Sequence, residues 1–168
     1  RNPTCRVLAC EPFAETYALL QENCRTNGME ARVTTVRCAV TDQDGGQVSL
    51  KLDPTNTGGH SVYAPFHSAG VPVPSITLGR LLQEHGLSRV DLLKIDAEGA
   101  EFPILFSTPR EVLERIGRIT LEFHDRFYKH YRAEDLKAHL EAHGYRVRLA
   151  PSFLRGPLRP SGMLYAER

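Results

Sequence analysis

At 168 residues the chain is long enough for one domain with a real core and too short for several. Its 21 lysines and arginines against 20 aspartates and glutamates leave a formal net charge of +1, which excludes the footprint of a nucleic-acid or anionic-membrane binder. No stretch approaches the roughly 18 apolar residues of a membrane span and no leader-like segment is read at the start, so a soluble, cytoplasmic protein with a small-molecule partner is expected.

The four cysteines, Cys5, Cys10, Cys24 and Cys38, form no C-x-x-C pair and read as reduced, mostly buried small hydrophobes. Residues 6–10 read as a short strand ended by Glu11-Pro12. Residues 13–27 read as a helix with Tyr17, Leu20 and Cys24 at helical spacing, closed by Asn27-Gly28 in a left-handed cap. A second strand is expected over 33–40. After a turn at 42–46 a third run, 47–52, alternates Val48, Leu50 and Leu52. Residues 53–74 are rich in Gly, Pro, Ser and Asn with no period, which reads as a lid or binding loop. Thr77 then caps a helix through Leu78, Leu81 and Leu82 to His85-Gly86. The apolar run 90–95 reads as a strand buried on both faces of a parallel sheet. Gly99 allows a sharp turn into a helix over 100–106, which tolerates Pro103 in its first turn. A strand over 116–123, a helix over 134–143 capped by Gly144, and terminal strands over 145–149 and 163–166 complete the pattern. The alternation predicts an α/β fold with a doubly wound, mostly parallel sheet, over a single domain spanning residues 1–168.

The apolar run ends in three acids around a glycine: Asp96, Glu98, Gly99 and Glu101. Open α/β sheets bind ligands outside the carboxyl ends of their strands, which places Asp96 and Glu98 where chemistry usually occurs. The plainer alternative is that Glu98 and Glu101 only complement the positive start of a helix. Glu11, also at a strand end, is placed to accept the hydroxyls of a ribose. Thr120, Glu122 and His124 share one face of their strand. If that strand neighbours the one ending at Asp96, then Asp96, Glu98, Glu122 and His124 converge on one crevice as a catalytic set; otherwise Glu122 and His124 are a satisfied buried pair. His60 and Ser61 reach a substrate if their loop folds over the crevice. Oxygens of Asp96, Glu98 and Glu122 suit a hard cation, but nothing demands one, and no metal is expected. No G-x-S-x-G elbow, Walker A loop or H-E-x-x-H helix occurs.

Cys10-Glu11-Pro12, Leu20-Gln21-Glu22-Asn23, Asn27-Gly28, Ala39-Val40-Thr41-Asp42, Gly58-Gly59-His60-Ser61, Ile76-Thr77-Leu78, residues 91–101 and Glu122-Phe123-His124, in that order, resemble the FkbM-type family of S-adenosylmethionine-dependent methyltransferases. The resemblance implies a class I methyltransferase (Rossmann-like) fold and methylation of a hydroxyl on a small molecule or sugar. It also implies that Glu11 holds the cofactor ribose, that Ala39 and Asp42 lie near adenine, and that Asp96 sits by the methionine part or the acceptor. Two departures stand out. Gly79 occupies the place of a family acid after Thr77-Leu78. The family's glycine-rich first strand would lie before Arg1, so the sequence is expected to be part of a longer protein whose upstream segment would show any targeting peptide. In the implied reaction His124 is the general base, with Asp96 or Glu98 orienting it or sharing the task. A nicotinamide-dependent oxidoreductase and a non-catalytic Rossmann-like binding module are the alternatives.

Overall fold

The structure is a computed structural model that describes residues 4–53, 56, 58–63, 70–152 and 161–168. In chain order its elements are β1 (Val7–Cys10), α1 (Ala14–Thr26), β2 (Val33–Val36), β3 (Ala39–Thr41), β4 (Gln47–Leu50), β5 (Val71–Thr77), α2 (Leu78–Glu84), β6 (Leu93–Ile95), α3 (Glu101–Ser107), α4 (Arg110–Leu113), β7 (Arg118–His124), a 3-10 turn (Asp125–Phe127), α5 (Ala133–Ala142), β8 (Arg146–Ser152) and β9 (Ser161–Glu167). The strands form a β1-β2 pair, a β3-β5-β4 sheet and a β6-β7-β9-β8 sheet. The β1–β2, β3–β5 and β6–β7 ladders are parallel; β4–β5, β7–β9 and β8–β9 are antiparallel.

Apolar alternation puts Ile119, Leu121 and Phe123 on one face of β7, each at most 1% exposed, where they meet Phe102 and Leu105 of α3 and Leu136 and Leu140 of α5. Tyr145, just before β8, ties this core to α4: its hydroxyl lies 2.6 Å from the Leu113 carbonyl and 2.8 Å from that of Ile116. A smaller core of Ala39, Val48, Leu50 and Val73 lies in the β3-β5-β4 sheet. Helix ends follow the local signals. The Thr77 hydroxyl accepts the Arg80 N–H at α2, and Gly28 and Gly144 take positive φ just past α1 and α5.

Three expectations are overturned. The run 33–40 is two strands, because at Arg37-Cys38 the chain leaves β1 as a partner and joins β5. Unbroken β-propensity carries no mark of such a change. Second, residues 71–74 of the expected loop belong to strand β5, in spite of Pro72 and Pro74. The Ser75 N–H points toward β4, bonding the Gly46 carbonyl at 3.3 Å, so by alternation the even positions point away from β4. Pairing with β3 starts only at Ser75, hence the prolines remove no ladder hydrogen bond. Third, the run 90–95 is covered on one face only. Ile95 is buried and Leu93 half-buried, but Leu92 is 58% exposed and Lys94 is exposed as well. α4, a single turn after Pro109, carries no periodic signal and was not expected. The Pro-rich stretch 153–160 and much of the loop 53–74 lie outside the described residues. Among the described residues no helix is long and apolar enough to cross a membrane.

Gly99 has φ +103, and a Cβ there would lie 2.6 Å from Phe127 Cδ2. Gly99→Ala is therefore expected to lose more than about 1 kcal/mol in denaturant unfolding. Leu121→Ala, which opens a cavity in a fully buried site, is expected to lose about 2–5 kcal/mol in the same measurement.

Candidate active site

The parallel register Leu93↔Ile119, Lys94↔Thr120, Ile95↔Leu121 brings the carboxyl ends of β6 and β7 to one rim, and one step further sets Asp96 beside Glu122. Beyond β6 the chain turns through Glu98, φ +44, and Gly99, φ +103. Left-handed backbone at a residue with a Cβ costs of order 1 kcal/mol, so the turn must be held from outside. The Ser61 hydroxyl donates to the Glu98 carbonyl and the Tyr128 hydroxyl to the Gly99 carbonyl. The carboxylate of Glu101 accepts the N–H of Gly99 at 3.0 Å and that of Ala97 at 3.3 Å.

His124, at the end of β7, and Glu101, at the start of α3, are both fully enclosed at 0% exposure. His124 Nδ1 lies 2.9 Å from Glu101 Oε1, and Nε2 lies 3.5 Å from Glu98 Oε2 and 3.7 Å from Glu122 Oε1. Burial alone would lower the His124 pKa. The hydrogen bond and charge of Glu101, joined by the charges of Glu98 and Glu122, outweigh it and hold the pKa above the ordinary histidine value.

A cleft of about 550 Å³ runs along the full length of β1 and β6, which both line it, and continues past their carboxyl ends to Glu11, Ala39, His60, Asp96 and Glu98, with Leu78 and Ile104 among its apolar lining. Glu11 accepts the Phe13 N–H at 2.8 Å. Burial raises its pKa, against the opposing pull of that hydrogen bond and of His60. The backbone N–H of Asp53 donates to His60 Nδ1 at 3.1 Å, so Nδ1 is the accepting nitrogen and Nε2 the donating one. Asp96 is paired with Lys94 at 2.9 Å and remains 44% exposed.

Of the residues singled out from the sequence, Glu11, Ala39, His60, Asp96 and Glu98 share the cleft wall. Glu122 and His124 stand behind Glu98 rather than in the lining. Ser61 is buried and tethers its loop to the Glu98 carbonyl. Asp42 is exposed at the end of β3 and accepts the Tyr63 hydroxyl at 2.7 Å. Sequence reasoning undervalued Glu101, which a helix start explains without any partner. It passed over Tyr63 and Tyr128, whose hydroxyls act on residues 21 and 29 positions away in the chain. Only the partial burial of such a tyrosine would have hinted at them.

Residues 1–147 match the model of the methyltransferase FkbM domain. Among curated proteins the chain is 26% identical over 153 residues to the methyltransferase sdnD of Sordaria araneosa, covering 73% of this chain and 58% of that protein. It is 38% identical over 72 residues to the AMB antimetabolite synthetase AmbE of Pseudomonas aeruginosa, covering 42% of this chain and 3% of that protein. The chain thus spans well under two thirds of either relative. Among solved structures it is similar to the precorrin-6y C5,15-methyltransferase of Geobacter metallireducens, with a TM-score of 0.49 and 16% identity over 99% of this chain and 70% of that one. It is also similar to precorrin 8w decarboxylase of Methanobacterium thermoautotrophicum, with a TM-score of 0.48 and 14% identity over 97% and 69%. With a family match that covers most of its length, the chain belongs to the FkbM methyltransferase family and has that family's α/β class I methyltransferase fold.

Proposed function

We propose that the chain is a methyltransferase domain that uses S-adenosylmethionine to methylate a hydroxyl of a small molecule. The observation that carries this reading is the charge of the cleft. Glu11, Asp96 and Glu98 face it, and its cation, Lys94, is already paired with Asp96. An acidic cleft suits a positively charged sulfonium, and a carboxylate at a strand end suits a ribose diol. The residues therefore fit the cofactor. When bound, S-adenosylmethionine supplies an electrophilic methyl group.

In this reading Glu11 accepts the ribose hydroxyls, the small side chain of Ala39 leaves room for adenine with Asp42 at its edge, and Asp96 meets the methionine part. His60 offers its Nε2 proton toward the acceptor, on the loop that Ser61 anchors. An alcohol becomes an adequate nucleophile only as its proton is withdrawn. Glu98 is the acid between the cleft and His124, so the proton passes to Glu98 and on to His124 Nε2, with Glu122 sharing the charge. The name of one relative, an antimetabolite synthetase, supports a natural-product type of acceptor. The carboxylate-rich, partly apolar cleft supports a neutral or cationic one over an acid. The partner is a small molecule, and neither nucleic acid nor membrane enters this reading.

S-adenosylhomocysteine at a hundred times its dissociation constant is expected to stabilise the intact protein by about 2.7 kcal/mol in a thermal-shift titration. A shift with a nicotinamide dinucleotide instead would transfer the reading to an oxidoreductase, and no shift with either would favour a non-catalytic module. Glu98→Gly relieves the left-handed backbone, so its unfolding free energy is expected to hold or rise by about 1 kcal/mol while turnover falls roughly 10²-fold or more. Unchanged turnover in that variant would remove Glu98 from the proton path.

The raised pKa of His124 gives opposite pH trends to activity and stability. Turnover needs the neutral ring and is expected to climb as pH passes the folded-state pKa, above the ordinary value of about 6.5. Stability from the protonated ring is fully present below about 6.5 and fades as pH rises through the folded-state pKa. Melting temperatures read upward from pH 6.5, with His124→Gln expected to flatten the slope, check the sign. Asp125, pushed up to about 6 by burial, titrates into the lower edge of that window, so the difference between wild type and His124→Gln is the quantity that reads the histidine.

A further inference from the structure

Glu101 opens α3, where an acid complements the helix dipole equally well from the solvent side. It is instead 0% exposed. A carboxylate at such a site persists only with several donors and an opposite charge. Glu101 has both: the N–H groups of Ala97 and Gly99, and Nδ1 of His124 at 2.9 Å. The N–H groups alone would be satisfied by a neutral amide oxygen, so the charge answers to His124. That bond also fixes the ring. With Nδ1 held by Glu101, Nε2 is the nitrogen that looks toward Glu98 and Glu122, and Nε2 has no hydrogen-bond partner among the described residues.

We propose that Glu101 is a positioning residue of the site: it keeps the Nδ1 proton of His124 on its own side, leaves Nε2 to face Glu98, and through the same two oxygens holds the turn that carries Glu98. This rests on the reading above, in which His124 receives the acceptor's proton by way of Glu98. Glu101 touches neither substrate nor cofactor. It sets the tautomer and basicity of the group that accepts the proton, while the turn it clamps sets the direction of the carboxylate that delivers it. The other groups facing His124 act in the same sense or are neutral: Glu98 from the turn, Glu122 from its own strand, and the Phe127 ring at 5.9 Å from the 3-10 segment. Glu101 differs from both acids in being enclosed, hence unscreened by water.

Long-range proton–nitrogen NMR of the wild-type protein is expected to show the neutral His124 ring protonated at Nδ1, with a titration midpoint above that of an ordinary histidine. In Glu101→Gln the midpoint is expected to fall by about one to three units. The alkaline-rising limb of turnover should fall with it, and kcat should drop roughly 10²-fold with KM little changed. Glu101→Asp, which keeps the charge, is expected to restore much of the midpoint. A purely structural Glu101 would alter melting temperature in these variants and leave the midpoint where it was. A neutral ring protonated at Nε2, or a midpoint unmoved in Glu101→Gln, would overturn the proposal. The wild-type tautomer decides it even where the glutamine variant does not fold. Failure of S-adenosylhomocysteine to bind would strike the functional reading instead, since both NMR measurements are made without ligand or turnover.

Discussion

The left-handed turn through Glu98 and Gly99 decides where every acid at the end of β6 points. A β-strand delivers side chains alternately to its two faces, and without a reversal Asp96 and Glu98 would continue along the direction of the strand. The positive φ values at both residues bend the chain within two positions, so Asp96 and Glu98 both line the cleft while Glu101 is carried under it to His124. A glycine adopts such a backbone freely and a glutamate does not. That Glu98 stands there, held by Ser61 and by bonds to both neighbouring residues, means that local strain is offset by contacts from three separate parts of the chain.

Electrostatics give the turn its consequence. Three carboxylates surround one enclosed imidazole, at 2.9, 3.5 and 3.7 Å. Removed from water, an isolated charge of either sign would be expensive, but each here compensates the other. The gradient of exposure orders the groups: Glu101 and His124 are sealed, Glu98 is 15% exposed and Glu122 33%, and Asp96 reaches the open cleft at 44%. Of the three acids around His124, Glu98 is the one that also lines the cleft. The burial that raises the Glu11 pKa at the far wall belongs to the same low-dielectric setting.

The sheets hold these groups without forming one continuous surface. β1 and β6 flank the cleft along their whole length, yet they belong to different hydrogen-bonded units among the described residues. What fixes β6 is its parallel register with β7 and the core beneath Ile95, Leu121 and Phe123. What fixes the opposite wall is the β1–β2 pair and, in a separate sheet, the short β3 strand paired with β5. The site is accordingly assembled from both sides of a cleft, and residues from 11 to 124 contribute to it.

Much was determined by the sequence alone, wherever a local rule sufficed. The helices α1, α2, α3 and α5 and their caps, the β6–turn–α3 segment, and the shared face of Glu122 and His124 follow from periodicity, from glycine's freedom at positive φ, and from period-two alternation. The ordered motifs resembling the FkbM family pointed to the family that the comparison then established. Tertiary structure decided what depends on partners distant in the chain. It split residues 33–40 between two sheets, made a strand of the proline-bearing 71–77, and left Leu92 exposed, because strand partners and face coverage are set by neighbours that no local pattern names. It also buried Glu101 against a histidine 23 positions away. In sequence an acid at a helix start is fully explained by the helix dipole; only the packing of α3 against β7 removes the water and turns that acid into the counter-charge of His124.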